Sequence, residues 1–331
     1  MEKWVLITGG AGYIGTNIIN KLAKLNYKIV CMDNFSNSYE YVIQKIAKRH
    51  KNVIIETGDM LDNVFMENLF KKYKFNIVIH MAGKKYVKDS FYQTESYYLN
   101  NVTATQKLLD IMDKYKVKRL IFSSSITIYG ITDKIPLTED LPYNAQSPYA
   151  QTKVEGELLI KKWCTGTKSA VILRLSNPIG ANVKCMLGDN SKSENLALLP
   201  YLISNTDKLI TINGDTYPTK DGTTIRDYIH VEDVAQAFVS ACETSLKGLN
   251  TFNIGKGVPG NTVLEVLKQV EKTVKKSINY KFGGIRVGDP AILITDTTAA
   301  KNNINFKAKK SLKDMVESQY AFNAYLIKNN K

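Results

Sequence analysis

Two side chains four positions apart, Tyr149 and Lys153, carry the most informative chemistry in the sequence. On a helix, residues at i and i+4 share a face. A tyrosine ordinarily loses its proton near pH ~10. A neighbouring ammonium favours the phenolate, so Tyr149 can act as acid or base near neutral pH. The spacing alone also suits an amphipathic helix with a surface lysine. It gains weight from Ser123-Ser124-Ser125, which end an apolar, strand-like run. In open α/β sheets, ligands bind outside the carboxyl ends of the strands. Ser125 can then hydrogen-bond the same substrate hydroxyl as Tyr149.

A second constellation is Thr8-Gly9-Gly10-Ala11-Gly12-Tyr13-Ile14-Gly15. It follows an expected strand and opens an expected helix, the context in which such glycines bind a dinucleotide. Gly9 allows the tight turn, Gly12 lets backbone approach a pyrophosphate, and Gly15 lets the helix pack closely. The helix N-terminus offers free N–H groups and partial positive charge to the phosphates. Asp33 ends the next strand and suits the adenosine ribose hydroxyls. No arginine follows it in Asn34-Phe35-Ser36 to receive a 2′-phosphate, so NAD is expected over NADP. Asp59 ends the third strand and suits either the adenine amino group or a helix cap.

Other chemistries find little support. His50 sits among Lys and Arg, His80 in an apolar strand, and His230 after Arg226-Asp227-Tyr228-Ile229. No metal-ligand spacing and no nucleophile elbow occurs. Cys31, Cys164, Cys185 and Cys242 are far apart. They fit a reducing cytosol better than a disulfide framework. No secretory signal or membrane-length apolar run is seen, and a cytoplasmic location is expected. The chain has 331 residues and a formal net charge of +14. Its lysines are scattered, which reads as a solvated surface that attracts a small anion, with no nucleic acid and no membrane as partner.

The elements that must position these residues alternate. Strands are expected at Trp4–Thr8, Ile29–Asp33, Val53–Thr57, Ile77–Met81, Leu120–Ser125 and Ala170–Leu175. Helices are expected at Gly15–Leu25, Asn63–Tyr73, Gln93–Lys116 and Tyr149–Cys164. This rhythm implies a parallel sheet with helices on both faces. It breaks near Asn177-Pro178, giving loops around a helix near Leu196–Ser204. Tyr228–Val231, a helix near Val234–Ala241 and Thr251–Ile254 are expected to rejoin the first sheet. A helix from Thr262, a strand near Ile278–Lys281 and a helix from Leu312 complete the chain.

The stretches TGGAGYIG at 8–15, DNFSNS at 33–38, VIHMAGKK at 78–85, YYLNNV at 97–102, IFSSSITIYG at 121–130, SPYAQTK at 147–153, LRLSNPIGA at 173–181, DGTTIRDYIHVEDVA at 221–235 and RVGD at 286–289 carry a resemblance. The chain resembles the UDP-glucose (UDP-galactose) 4-epimerases of the extended short-chain dehydrogenase/reductase family, from Val5 to about Asp296. The resemblance implies a Rossmann-type, doubly wound parallel α/β sheet with a smaller, sequence-discontinuous α/β substrate lobe. Residues 1–176, joined by about 223–255, would bind NAD; residues 177–222 and 256–331 would bind the nucleotide sugar. It implies NAD contacts at Tyr13, Ile14, Asp33, Asn34, Phe35, Ser36, Asn37, Ser38, Asp59, Met60, Met81, Ala82, Gly83, Lys84, Lys85, Asn100, Ser123, Ser125, Tyr149, Lys153, Ser176 and Pro178.

For the UDP-sugar, the resemblance points to Lys85, Ser125, Tyr149, Asn177, Asn195, Leu198, Ile212, Arg226, Arg286, Asp289 and Leu293. A guanidinium such as Arg226 can grip a diphosphate as a fixed fork, the alternative being an ion pair with Asp227 or Glu232. The implied reaction is inversion at C4 through a transient 4-keto sugar, in a homodimer joined through the two long helices. The chain departs from the family pattern at Leu175 and Ser176, where two aromatics are usual, and at Leu196 and Ala197. Leu293 stands where a bulky tyrosine can restrict the sugar, so an N-acetylated UDP-sugar is a second expectation. Ile126 and Thr127 replace the acidic pair that a 4,6-dehydratase needs, whereas a uronate epimerase or decarboxylase is less excluded. A non-catalytic NAD- or RNA-binding member of the fold is the remaining alternative; it would not need Tyr149, Lys153 and Ser125 together.

Overall fold

Strands with unbroken aliphatic runs can be covered on both faces, and the successive side chains then face opposite layers. In the computed structural model, which describes residues 3–189, 198–285 and 289–329, the strand Trp4–Thr8 does this. Val5 and Ile7 enter one core with Ile29, Cys31, Ile79 and Ile121. Leu6 enters the other with Val30, Met32, Val78, Leu120 and Phe122. The first core is closed by Ile18, Ile19, Val234 and Phe238, from the helices Tyr13–Leu22 and Val231–Glu243. The second is closed by Met66, Leu69, Leu108, Met112, Ile160 and Trp163. These lie on Asn63–Lys72, Ala104–Lys114 and Pro148–Trp163.

Seven strands pair in this sheet, in the spatial order Gly248–Ile254, Ser169–Leu175, Arg119–Ser125, Ile77–His80, Trp4–Thr8, Lys28–Asp33 and Val53–Thr57. Every pairing is parallel. The order reverses after the first strand, which leaves a crevice at the carboxyl ends of the strands beside it. Local signals start the flanking helices. Asp62 accepts from the backbone N–H of Val64 and Phe65, and Ser147 accepts from that of Ala150 ahead of a proline in the first turn.

Three expectations are corrected. Glu40–Arg49 is a helix that the sequence reading omitted; it buries only Ile43 and Ile46. The expected long helix over Gln93–Lys116 runs without a break from Thr94 to Lys114, but a π-turn at Leu99–Thr103 interrupts its α-helical winding between Thr94–Tyr98 and Ala104–Lys114. The wider turn accompanies a cross-link. Asn101 accepts from Lys84 N at 2.7 Å and donates to Lys84 O and Thr152 Oγ1, each at 3.0 Å. Finally, Tyr228–His230 does not rejoin the large sheet but pairs with Asn177–Ile179. Gly248–Ile254 does rejoin it.

A separate apolar cluster, including Leu199, Leu202, Ile212, Leu267 and Met315, lies among the helices Leu198–Ser204, Val263–Val274 and Leu312–Lys328. Ile225–Arg226 forms a small sheet with Asn261–Thr262 and Ile292–Leu293. This pairing brings Arg226 level with Leu293.

Two histidines are structural. His80 bridges Thr8 Oγ1 at 2.8 Å and Thr105 Oγ1 at 2.9 Å, and burial pushes its pKa down to about 3. His230 caps the helix Val231–Glu243, its Nδ1 accepting from Glu232 N, and burial pushes it down to about 4. An unfolded histidine titrates near ~6.5. Below that value the unfolded chain binds more protons than the folded one. The stabilisation is therefore full above pH ~6.5 and is lost as pH falls toward the folded values, by about 1.4 kcal/mol per pH unit for each histidine. Thermal melts from about pH 7 to about pH 4 should show this decline, with a shallower slope in His80→Gln. An equal slope in the variant would remove His80 from the account.

Candidate active site

The glycine turn is built by steric necessity. Gly9 has φ +65°, and a Cβ there would lie 2.8 Å from backbone atoms of Ala82. At Gly15 a Cβ would come within 2.7 Å of Gly10 O, so the helix closes onto the turn itself. Gly12 is the N-cap of Tyr13–Leu22 and supplies no side-chain cap, leaving the first N–H groups of that helix to a ligand. At the next strand end, the Asp33 carboxylate accepts from Ala11 N at 3.0 Å, Phe35 N at 2.9 Å and Ser38 Oγ at 3.0 Å. Asp59 accepts from Asn34 Nδ2 at 2.7 Å and Leu61 N at 2.8 Å. Asp62, not Asp59, caps the following helix.

These groups border a cleft of about 440 Å³. Of the anticipated cofactor residues, Gly9, Gly12, Tyr13, Ile14, Gly15, Asp33, Asn34, Ser36, Asn37, Ser38, Asp59, Met60, Met81, Ala82, Gly83, Lys84, Lys85 and Asn100 line it. Phe35 does not; its side chain packs against the first core. Ser123, Ser125, Tyr149, Lys153, Ser176 and Pro178 are also outside its lining. Thr16, Tyr39, Val42, Gly58, Asp89 and Gln93 line the cleft without having been singled out. Only their three-dimensional placement marks them. The Cβ-free turn, the uncapped helix N-terminus and the acidic strand end fit a dinucleotide.

The catalytic candidates come together at the end of Arg119–Ser125. Tyr149 and Lys153 share one face of Pro148–Trp163, as their spacing predicts. The Tyr149 phenol lies near enough to Ser125 for the serine to lower its pKa. Ser125 accepts from Thr127 N at 3.3 Å and Thr127 Oγ1 at 3.0 Å. Lys153 is buried and donates from Nζ to Ser123 O at 2.8 Å. Its ammonium lies 6.0 Å from the Tyr149 ring centroid. Burial pushes Lys153 down to about 8, while the nearby Glu157 charge pulls it up. For Tyr149, burial dominates and raises the phenol; the nearby Ser125 side chain opposes it. The expected lowering comes from Lys153 together with an oxidised nicotinamide, and the chain by itself holds only the first. Desolvation outweighs an ammonium at this distance.

On the other side of the crevice, Arg226 Nη2 pairs with Asp289 Oδ1 at 2.5 Å. This corrects the alternative pairing with Asp227 or Glu232. Asp227 is fully buried and accepts from Lys256 N, Gly257 N, Thr295 N and Thr295 Oγ1. Glu232 accepts from Asn182 Nδ2. Lys85 Nζ lies 3.7 Å from Asp189 Oδ1. Asn177 begins the short strand that contains Pro178. The Ser176 hydroxyl is buried and has no hydrogen-bond partner among the described residues. Leu198 opens its helix and packs on the lobe core, in which Ile212 is fully enclosed. Leu293 packs with Ile126 and Val154. Asn195 and Arg286 lie outside the described residues. Among the described residues no group of three or more His, Cys, Asp or Glu is placed to hold a metal ion. None of their helices is long and apolar enough to cross a membrane.

A tyrosine and a buried lysine on one helix face, beside a crevice that fits a dinucleotide, suit an enzyme that works on a hydroxyl-bearing carbon. The model of the NAD dependent epimerase/dehydratase family matches residues 5–255, and the chain belongs to that family. It is 36% identical over 336 residues to the UDP-glucose 4-epimerase of Bacillus subtilis (strain 168), covering 99% of this chain and 98% of that one. It is similar to the UDP-glucose 4-epimerase of Bifidobacterium longum solved with NAD⁺ and UDP, with TM-score 0.92, 34% identity and 98% of each chain covered. It is also similar to the UDP-glucose-4-epimerase of Stenotrophomonas maltophila solved with NAD and formylated UDP-arabinopyranose. There the TM-score is 0.95 and the identity 30%, covering 99% of this chain and 100% of that one.

Substituting Gly9 tests the turn. Gly9→Ala forces an L side chain into positive φ against the Ala82 backbone. A cost of about 1–3 kcal/mol in stability and weaker NAD binding are expected, read by thermal melt and by cofactor fluorescence titration. Unchanged binding would show that the turn does not hold the dinucleotide.

Proposed function

We propose that this protein interconverts the 4-epimers of a UDP-hexose, UDP-glucose and UDP-galactose, with Tyr149 as the acid and base. The observation that carries the reading is the grouping of Tyr149 and buried Lys153 on one helix face, with Lys153 Nζ bonded to Ser123 O beside Ser125, at the carboxyl edge of the dinucleotide sheet. The full-length similarity to UDP-glucose 4-epimerases supports it. When bound, NAD supplies a reversible acceptor for the C4 hydride, giving a transient 4-keto sugar, and its oxidised ring adds a positive charge that favours the phenolate. Tyr149 takes the proton of the sugar 4-hydroxyl and later returns it. Ser125 holds that hydroxyl and shares the phenol proton. Lys153 supplies the neighbouring cation. Asp33 receives the adenosine ribose, while the N–H groups at the start of Tyr13–Leu22 receive the pyrophosphate.

The substrate is gripped away from the reacting carbon. Arg226 and Asn177, with Arg286 and Asp289, hold the nucleotide, the guanidiniums taking its diphosphate. Binding energy spent there leaves the sugar free to present either face, which an inverting C4 reaction requires. Ile126 is buried among apolar residues and Thr127 is bonded to Ser125, so neither offers the carboxylate of a dehydratase. The proposed lobes are 1–176 with about 223–255, and 177–222 with 256–331. The reading includes a cytoplasmic homodimer, joined through the helices expected at Gln93–Lys116 and Tyr149–Cys164, with the chain just before the first of them alongside. Phe91, Leu99 and Leu158 are exposed there, at 57%, 47% and 46%.

Two assays test the activity. With NAD present, UDP-galactose should be converted to its 4-epimer, resolved by chromatography. Tyr149→Phe should lose at least about 10²–10⁴-fold of the rate while still binding NAD. Conversion that survives the substitution would displace Tyr149 from its role. The rate should also fall as pH rises past about 8, where Lys153 loses the charge that favours the phenolate.

Leu293 favours a second substrate. It is smaller than a tyrosine and sits level with Arg226, so UDP-N-acetylgalactosamine should also be turned over. Good turnover of UDP-galactose with no product from the N-acetyl sugar would sink this expectation.

A further inference from the structure

Glu157 lies one turn beyond Lys153 on the helix Pro148–Trp163, and the proposed chemistry does not use it. Its side chain is 1% exposed. The carboxylate accepts from Ser124 Oγ at 2.5 Å, Tyr143 OH at 2.9 Å and Arg174 Nη2 at 2.7 Å, and from Arg174 Nε at 3.1 Å. Arg174 is itself 5% exposed. It donates further to Tyr129 OH at 2.8 Å and Glu139 O at 2.9 Å. Ser124 and Arg174 are register partners on adjacent parallel strands.

A pattern follows from these bonds. Residues 149, 153 and 157 stand on successive turns of one helix face. Each is set beside one of three consecutive strand residues. Lys153 donates to the Ser123 carbonyl and Glu157 accepts from the Ser124 hydroxyl, while Tyr149 comes near Ser125. Of the three, Glu157 is also anchored from a second strand, through the forked guanidinium of Arg174. A buried ion pair adds little net stability over well-packed apolar residues, so stability is a weak account of this one.

We propose that Glu157, clamped by Ser124 and Arg174, is a positioning residue that holds Tyr149 and Lys153 in register with the serine edge. The proposal rests on the proposed 4-epimerase reading. The clamp has an electrostatic consequence. Lys153 is faced by Tyr149 and Glu157 on its own helix and by His80 on the strand Ile77–His80, with Arg174 beyond Glu157. His80 is held neutral by burial. Glu157 therefore supplies the negative charge that keeps Lys153 from falling further.

The test uses the full chain with NAD and UDP-galactose. Glu157→Gln alone leaves a buried unpaired guanidinium, so it is paired with Arg174→Met, which removes both charges. With folding checked by thermal melt and NAD affinity by fluorescence, the double variant should lose about 30–100-fold in kcat with KM changed less than about threefold. Its alkaline limit should move about one unit to lower pH, which a merely structural role would not produce. Ser124→Ala removes one neutral group and should lose about tenfold in kcat, restored by Ser124→Thr. A folded double variant whose kcat and alkaline limit match the unaltered chain would overturn the proposal, as would full activity in Ser124→Ala. No turnover by the unaltered chain would overturn the 4-epimerase reading, and this proposal with it.

Discussion

Parallel pairing of the central strands is the constraint on which the rest of the molecule depends. Because all seven strands run the same way, their carboxyl ends fall along one edge. The Gly9 turn, Asp33, His80 and Ser125 all belong to that edge. The register sets their spacing: Thr8 pairs with His80, His80 with Phe122, and Ser125 with Leu175. A shift of one residue between neighbouring strands would exchange their faces, breaking the packing of both cores and displacing the strand ends along the edge. The packing of Val5, Leu6 and Ile7 thus fixes the edge as firmly as it fixes the core.

Burial then sets the chemistry at that edge. Low polarity raises a phenol and lowers an ammonium. Tyr149 and Lys153 move in those directions. The pair is consequently drawn toward its neutral forms, with each charge sensitive to a single neighbour. Ser125 opposes the rise at Tyr149, and Glu157 opposes the fall at Lys153. His80 is on the same edge yet takes no part, because hydroxyls satisfy both ring nitrogens and burial keeps it neutral.

Much of this was legible in the sequence. The aliphatic runs gave all six expected strands of the first half, since strands covered on both faces need unbroken apolar residues. Glycines 9, 12 and 15 were informative because a missing Cβ is a backbone requirement that a sequence states openly. The helix Glu40–Arg49 was missed because it buries only two residues, leaving little periodic signal. The π-turn was missed because its cause, the Asn101 link to Lys84 and Thr152, joins residues far apart in sequence. The motif around Arg226 draws attention to it, but its ion-pair partner Asp289 lies 63 positions away, and nearer carboxylates compete for the assignment. Glu157 went unnoticed for a related reason. A glutamate in an amphipathic helix ordinarily faces water, and only the fold puts Arg174 beside it.

The two halves of the crevice differ in what builds them. The dinucleotide side rests largely on backbone: a positive-φ glycine, the N–H groups of a helix terminus and an aspartate held by three donors. Side-chain exchange elsewhere barely touches such features. The proposed nucleotide-sugar side would rest on side chains drawn from separate segments, including Arg226, Asp289 and Leu293. One substitution there changes volume or charge directly. Cofactor recognition is therefore the more constrained property and the easier to read from sequence. Substrate preference can drift through residues such as Leu293 while Tyr149, Lys153 and Ser125 keep their geometry.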